Sequence, residues 1–250
     1  MDHCAKKELE IILKDFRPTK IEYPGYDPHT DTAAECLSII NTYKRKDQSK
    51  IIQKIDPPYI KSLENAENWG YKDVIYHPKY ISEGSNCNST VKLFRTGCFN
   101  VASLGDVDNQ NISAYLKSQR IFYEEVDIMI LAHHGADNGF TTASFIREVR
   151  PTIAICSSNY DNQFEHPKPE IKELLYKFEI PLYTTKTGDV VVASLHPHTK
   201  AYRVFNLISN SKELSSTATL FSKKSDKLEH NWDTVKNIYQ GHKPAFKKFF

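Results

Sequence analysis

An apolar run at residues 126–132, interrupted only by Asp127, constrains the fold more than any other feature of the sequence. A run of this length is typical of a strand that is buried on both faces. A second such run covers residues 152–156, and a helical pattern at residues 144–149 separates the two. Buried strands that alternate with helices predict an α/β layered fold.

The rest of the chain repeats this alternation. Apolar residues at three- and four-residue spacing predict helices at residues 5–14, 32–46, 112–119 and 169–178. Short apolar or alternating runs predict strands at residues 20–23, 74–76, 91–94, 99–104, 182–184, 190–194 and 202–206. Asp31 is expected to cap the helix that begins at residue 32. The polar stretch at residues 48–70 predicts no definite element.

The chemical character of the sequence changes near residue 208. Serine, lysine and asparagine dominate beyond this point, and only residues 231–239 carry a helical pattern. We therefore expect one domain over residues 1–208 and a polar C-terminal extension over residues 209–250.

Composition excludes several classes of protein. A net charge of +2 over 250 residues is not the basic excess of a general nucleic-acid binder. The five cysteines form no Cys-x-x-Cys pair, which argues against a disulfide framework or a thiolate zinc site and favours a cytoplasmic location. No apolar run is long enough to span a bilayer, and the first residues do not resemble a signal peptide.

Residues that suit metal chemistry follow two of the predicted strands. Gly105-Asp106 ends one strand, and His133-His134-Gly135 ends another. Strand ends are where ligands collect in sheet-based enzymes. Carboxylate oxygen and imidazole nitrogen together suit Zn²⁺ or Mn²⁺. Taken alone, however, a Gly-Asp pair is more often a simple turn.

Two further elements add polar groups. His166-Pro167 lies in a polar loop between a buried strand and a helix, a common place for substrate contacts, although a lone loop histidine is usually only exposed. Asp2-His3 stands directly before the first predicted helix and has no meaning by itself.

In combination these motifs resemble the metallo-β-lactamase-fold hydrolases, in particular the hydrolase domain of ComEC/Rec2-type proteins. The resemblance covers residues 91–192 and rests on an ordered series: Gly105-Asp106, His133-His134-Gly135, Arg150-Pro151, Ser157-Ser158-Asn159, His166-Pro167 and Gly188. It implies an αββα sandwich. Asp2-His3 matches only the end of the family's His-x-His-x-Asp-His motif, so the resemblance also implies that the first strands are missing and that the chain starts inside this motif.

The resemblance also implies roles for single residues. Asp106 would bridge two metal ions, and Asp2 and His3 would bind the second ion together with one imidazole of His133 and His134. The choice within that pair stays open. The residues expected to act in catalysis are Asp2, Asp106, His134 and His166. Those expected to contact substrate are Asn88, Ser89, Ser157, Asn159 and His166, with His77 as a weaker substitute for a family histidine that has no clear counterpart.

The expected function is metal-dependent hydrolysis of a phosphodiester by a metal-activated water, with Zn²⁺ or Mn²⁺ as cofactor and two ions in an intact site. Single-stranded nucleic acid is an expected substrate. Hydrolysis of another ester or amide, and an impaired remnant with a binding role, stay open as alternatives. Self-association through an exposed sheet edge is a further expectation.

Overall fold

A computed structural model describes residues 5–63, 73–96, 98–198 and 200–224 of the chain. Its helices are α1 (Lys6–Ile11, continued by a π-helical turn at Ile12–Phe16), α2 (Asp31–Lys46), α3 (Pro57–Leu63), α4 (Gln110–Ser118), α5 (Arg120–Glu125), α6 (Ala143–Val149) and α7 (Pro169–Lys177). Its strands are β1 (Lys20–Pro24), β2 (Ile51–Ile55), β3 (Asp73–His77), β4 (Val91–Thr96), β5 (Phe99–Ser103), β6 (Ile128–Ile130), β7 (Ile153–Cys156), β8 (Leu182–Thr184), β9 (Val190–Ser194), β10 (Ala201–Asn206) and β11 (Thr219–Ser222).

A six-stranded sheet in the order β3-β4-β5-β6-β7-β8 is the centre of the fold. Its first three strands are antiparallel neighbours, and β5, β6, β7 and β8 run parallel. Helices connect the parallel strands, as parallel pairing requires a long crossover. All four parallel strands therefore end at the same edge of the sheet.

The two faces of this sheet pack against different layers, because successive residues of a strand point to opposite sides. Ala102, Met129 and Ala154 face a core completed by helices α4 to α7. Ile128 and Ile153 face the opposite way and pack against Tyr202 and Val204 of β10. β10 is the central strand of a second sheet, in the order β11-β10-β9. The predicted layered α/β class is confirmed.

Three local features differ from the sequence-based expectation. Thr30, not Asp31, caps α2, and its hydroxyl accepts a hydrogen bond from the amide of Ala33 at 3.2 Å. The stretch without a predicted element contains β2, which pairs in parallel with β1, and α3. Helix α5 precedes β6. It is only six residues long, too short for periodicity to indicate it, and Phe122 is completely buried in the core.

The polar segment after residue 208 contributes to the second sheet. β11 pairs with β10 in an antiparallel register, so the sheet continues beyond the boundary expected at residue 208. Lys224 then joins this segment to the main sheet, because its amide donates to Asp127 and its ammonium donates to the carbonyls of Tyr123 and Val149. The helix predicted at residues 231–239 lies outside the described residues.

Strands β3 and β8 form the two edges of the central sheet. Self-association through such an edge stays a prediction. Among the described residues, no helix combines the length and the apolar character that crossing a membrane requires.

Asp127 is a completely buried carboxyl group at the start of β6. The amides of Asn100 and Lys224 donate to its oxygens at 2.7 and 2.5 Å. Burial raises the pKa of this carboxyl to about 6, against the opposing effect of the two amides and the nearby lysines. The folded protein thus holds a proton on Asp127 at a pH where the unfolded chain, with a pKa of about 3.9, has lost it.

The stabilising contribution of Asp127 should therefore fall as pH rises from about 4 to about 6, by up to about 3 kcal/mol. Urea unfolding of the native chain and of Asp127→Asn at a series of pH values measures this difference. Relative to the variant, the native chain should become less stable with rising pH across this window. A difference between the two that does not change with pH would contradict the prediction.

Candidate functional site

Polar side chains gather where three neighbouring parallel strands end. Asp106 follows β5, His133 and His134 follow β6, and Ser157 follows β7. The turns after β5 and β6 are joined directly, because the amide of His133 donates to the carbonyl of Gly105 at 2.9 Å. The topology thus brings together groups that are up to about 50 positions apart in the sequence, as the carboxyl edge of a parallel sheet commonly does.

The His133-His134-Gly135 turn has an unusual backbone. All three residues have positive φ angles, of 46°, 56° and 81°. This left-handed region costs a residue with a side chain about 1 kcal/mol or more, and such strain is concentrated at functional sites. Only glycine fits the third position, where a Cβ would lie 2.7 Å from the Cβ of Pro167. The strained turn directs both imidazoles towards the carboxyl edge of the sheet.

His134 has a fixed orientation. Its Nδ1 lies 2.5 Å from the carbonyl oxygen of Ser157, and its Nε2 lies 3.5 Å from Oδ1 of Asp106. A carbonyl can only accept, so Nδ1 carries the hydrogen, and in a neutral ring the Nε2 lone pair faces the carboxylate. A cation placed between these two atoms would be bound by both of them.

Two further imidazoles, those of His133 and His166, lie near this pair. The ring centroids of His133 and His134 are 6.5 Å apart, those of His133 and His166 5.9 Å, and those of His134 and His166 6.4 Å. The rings of His134 and His166 are nearly parallel, at 19°. His133 is half-buried, and its Nδ1 is 3.5 Å from the side-chain amide nitrogen of Asn138.

His166 is buried, with 7% of its surface exposed. Asn162 holds its backbone, since the Asn162 side chain accepts from the His166 amide at 2.6 Å and donates to the His166 carbonyl at 3.0 Å. Burial lowers the pKa of His166, and His133, His134 and Lys168 lower it further, while Asp106 opposes them. His166 is therefore a neutral donor and acceptor near pH 7.

The residues near β4 that were expected to contact substrate form hydrogen bonds within the protein. Ser89 accepts a hydrogen bond from the amide of Asp106 at 3.0 Å, which holds the Gly105-Asp106 turn. Asn88 is fully buried, and its amide binds both backbone groups of Ser82 at 2.7 and 2.8 Å. His77 is equally buried, with Nε2 donating to the carbonyl of Cys87 at 2.6 Å and Nδ1 accepting from the amide of Lys79.

The expected substrate residues after β7 lie at the rim. Ser157 and Asn159 are exposed. In the described contacts Ser157 offers its carbonyl to His134, and Asn159 offers its carbonyl to Asn162 at 2.8 Å. The side chains of both residues are thus accessible to a bound molecule.

The metal ligands that the resemblance implies are not all in the described part of the chain. Within residues 5–63, 73–96, 98–198 and 200–224, no group of three or more His, Cys, Asp or Glu side chains is arranged to hold a metal ion. Asp2 and His3, which the resemblance makes ligands, lie outside the described residues. Asp106 and His134 are the donors that lie close together, and His133 and His166 border them.

Two weak similarities accompany this geometry. The chain is 25% identical over 198 residues to "ComE operon protein 3" of Bacillus subtilis (strain 168), an alignment that covers 76% of this chain and 23% of that protein. It is 24% identical over 111 residues to "Recombination protein 2" of Haemophilus influenzae (strain ATCC 51907 / DSM 11121 / KW20 / Rd), covering 44% of this chain and 14% of that protein. No family model matches the chain.

The chain therefore aligns with less than a quarter of the length of these curated relatives. The predicted resemblance to ComEC/Rec2-type proteins is supported at this level. These similarities do not establish the metallo-β-lactamase fold or a hydrolase activity, and both stay predictions.

Sequence reasoning did not identify Asn162 and Asn138. Asn162 bonds to the backbone of His166 four residues away, and the side-chain amide of Asn138 lies 3.5 Å from the imidazole of His133 five residues away. Asparagine in a polar loop is normally interpreted as a turn residue. Only the folded loops show that these side chains also contact the site histidines.

Proposed function

We propose that this protein hydrolyses phosphodiesters of nucleic acid with the help of a divalent metal ion. The observation that carries the proposal is the arrangement of His134, whose Nδ1 is turned to the Ser157 carbonyl and whose Nε2 lies 3.5 Å from Asp106. Metal-binding histidines commonly donate their second nitrogen to a backbone carbonyl in this way, which fixes the tautomer that binds the ion.

The donor spacing fits one ion. Two ligands of a tetrahedral Zn²⁺, with bonds of about 2.0–2.1 Å, are about 3.3 Å apart. The Asp106–His134 separation of 3.5 Å is close to this value. The pair supplies two ligands, fewer than the three or four that zinc takes from a protein. We therefore assign Asp106 and His134 as two ligands of the ion, and other groups must supply the remaining ligands.

Bound metal of this class supplies an activated water near neutral pH and stabilises charge on oxygen. The chain's own residues do the rest. Asp106 and His134 hold the ion in place, and Ser89 and the Ser157 carbonyl hold Asp106 and His134. His166, neutral near pH 7, can donate to a phosphate oxygen or to the leaving group. Lys168, two residues further on, adds positive charge for a phosphate.

The choice of a phosphodiester rests on the relatives rather than on the site. One of them is named for recombination, a process that acts on DNA. Hydrolysis of another ester or amide would use the same groups, because a metal-activated water attacks carbon as well as phosphorus. Because Asp106 and His134 supply two ligands, fewer than zinc usually takes from a protein, a second candidate is an impaired protein that binds its ligand without hydrolysing it.

Hydrolysis of bis(p-nitrophenyl) phosphate and of single-stranded DNA, with Mn²⁺ or Zn²⁺ added and with EDTA, tests the proposal. We expect hydrolysis with metal and none with EDTA. We also expect EDTA to lower the melting temperature by about 5–10 °C, the effect of losing a ligand at about 100 times its dissociation constant from a chain of this size.

Metal content measured by elemental analysis separates the candidates. One or two ions per chain with hydrolysis supports the proposal, and one ion without hydrolysis supports the binding candidate. Protein that contains metal, yet has the same melting temperature and no hydrolysis in both conditions, would contradict an ion held by Asp106 and His134.

A further inference from the structure

Two aromatic side chains are exposed in the loop that carries His166. Tyr160 is 70% exposed and Phe164 is 61% exposed, and both lie in the loop between β7 and α7 that carries His166. A single exposed aromatic ring is common on a protein surface, but two in a loop that also carries a site histidine indicate a contact surface. Phe164 has no group that binds an ion or transfers a proton, so no catalytic or metal-binding role explains its exposure.

The loop that presents these rings is built to hold its shape. The side chain of Asn162, between the two aromatic residues, contacts the carbonyl of Asn159 and both backbone groups of His166. Ser158 donates to the same His166 carbonyl at 3.2 Å. The backbone of the loop is therefore held before any ligand arrives, which reduces the conformational entropy lost on binding.

Phe164 is in contact with the candidate site. Its ring stacks on the ring of His166, with centroids 5.7 Å apart and an angle of 24° between the planes. The ring of His166 in turn stacks near His134 at 6.4 Å. A flat group bound on the free face of Phe164 would extend this row of rings, which continues through His166 to His134 and its neighbour Asp106.

The charges of the loop indicate what the rings contact. Between Ser158 and His166 the loop contains Asp161 and Glu165, both exposed, and no lysine or arginine. A phosphate would be repelled here, whereas an uncharged flat group would not. The nearest basic side chain in sequence is Lys168, on the far side of His166. Phosphates therefore belong at the imidazoles and Lys168, and the aromatic loop suits nucleobases.

We infer that Tyr160 and Phe164 form a base-stacking subsite for single-stranded nucleic acid, which holds the nucleobases that flank the phosphate at the imidazole cluster. This inference rests on the proposed function for the phosphate. Stacking on an aromatic ring requires unpaired bases and is tolerant of sequence, because every base has a flat face. The subsite thus selects single strands over duplex without reading a sequence.

Fluorescence anisotropy of a labelled deoxythymidine oligonucleotide of about 12 nucleotides, a length within the usual range of single-strand sites, tests the inference. EDTA is present throughout, so that hydrolysis does not interfere. We expect Phe164→Ala and Tyr160→Ala each to raise the dissociation constant by about 5- to 100-fold. Tyr176→Ala is the matched control, because Tyr176 is 86% exposed near the end of α7, about 10 Å along the helix from the loop.

Three further comparisons show whether stacking is the cause. Phe164→Tyr should keep the affinity and Phe164→Leu should lose it, since leucine is apolar but not flat. An abasic oligonucleotide of the same length should bind the native chain as weakly as it binds Phe164→Ala. The ratio of the dissociation constant of Phe164→Ala to that of the native chain, both for the thymidine oligonucleotide, should not change with salt concentration. A lost phosphate contact would make this ratio depend on salt.

The result separates this inference from the proposed function. Asp106→Asn should bind the oligonucleotide and remain sensitive to Phe164→Ala even if hydrolysis is lost. Equal affinities of the native chain, Phe164→Ala and Tyr160→Ala, or no binding by the native chain, would overturn the subsite while leaving hydrolysis of bis(p-nitrophenyl) phosphate to decide the proposed function. An equal loss in Tyr176→Ala would also overturn it.

Discussion

Asp106→Asn is expected to reduce metal-dependent hydrolysis by about 100-fold or more and to abolish metal retention. The substitution keeps the shape of the side chain but removes the negative charge that faces Nε2 of His134 at 3.5 Å. An amide is a poor ligand for zinc and does not balance its charge, and metal ions commonly contribute several kcal/mol to the transition state. The side chain is only 19% exposed, so water cannot easily replace it.

Asp108→Asn is the matched control for this change. Asp108 is a half-buried carboxylate in the same loop, and its described contact is the thiol of Cys87 at 2.9 Å. We expect metal content and hydrolysis close to those of the native chain. Circular dichroism of both variants should match the native spectrum. Unchanged metal content in Asp106→Asn would rule out the assignment of Asp106 as a ligand.

Arg95→Met is expected to lower the free energy of unfolding by about 3–5 kcal/mol, the cost of leaving one charge of a buried pair alone. Arg95 is 5% exposed and Glu125 is 2% exposed. Two hydrogen bonds join them, from Nε at 2.6 Å and from Nη2 at 3.0 Å. Arg95 belongs to β4 and Glu125 ends α5, so the pair ties that helix to the central sheet.

Two comparisons isolate the buried charge as the cause. In Arg95→Met with Glu125→Leu no charge remains unpaired, and much of the lost stability should return. Lys6→Met removes a salt bridge of similar length, 2.8 Å to Glu35, whose side chains are 45% and 56% exposed. This change should have little effect, because water screens exposed pairs. Urea unfolding measures all three, and equal losses for Lys6→Met and Arg95→Met would contradict the argument.

The residues of the central sheet show how much local pattern can predict. Strands β6 and β7 are short apolar runs, and the sequence predicts each within two residues of its observed ends. Burial on both faces permits only apolar side chains, so these strands are visible in the sequence itself. The short helix α5 was missed because its two buried residues are one aromatic ring, Phe122, and one charged group, Glu125, which together make no apolar pattern.

Part of the candidate site, too, could be predicted from the sequence and part could not. The sequence alone indicated Asp106, His133, His134 and His166, because their motifs in combination and in order resemble those of a metal-dependent hydrolase family. It could not show that His134 is the ring that faces Asp106. That follows from the left-handed turn and from the Ser157 carbonyl, which belongs to another strand.

The same limit applies to Asn88, which was expected to contact substrate. Its buried amide holds the Ser82 backbone instead, a use that no spacing reveals. Nothing in the sequence distinguished Tyr160 and Phe164, because the sequence does not show whether an aromatic residue is exposed or buried. Periodicity reports which elements form and which face they bury. Which side chains meet across the sheet edge depends on the order β5-β6-β7 and on contacts between distant residues, and only the tertiary structure decides these.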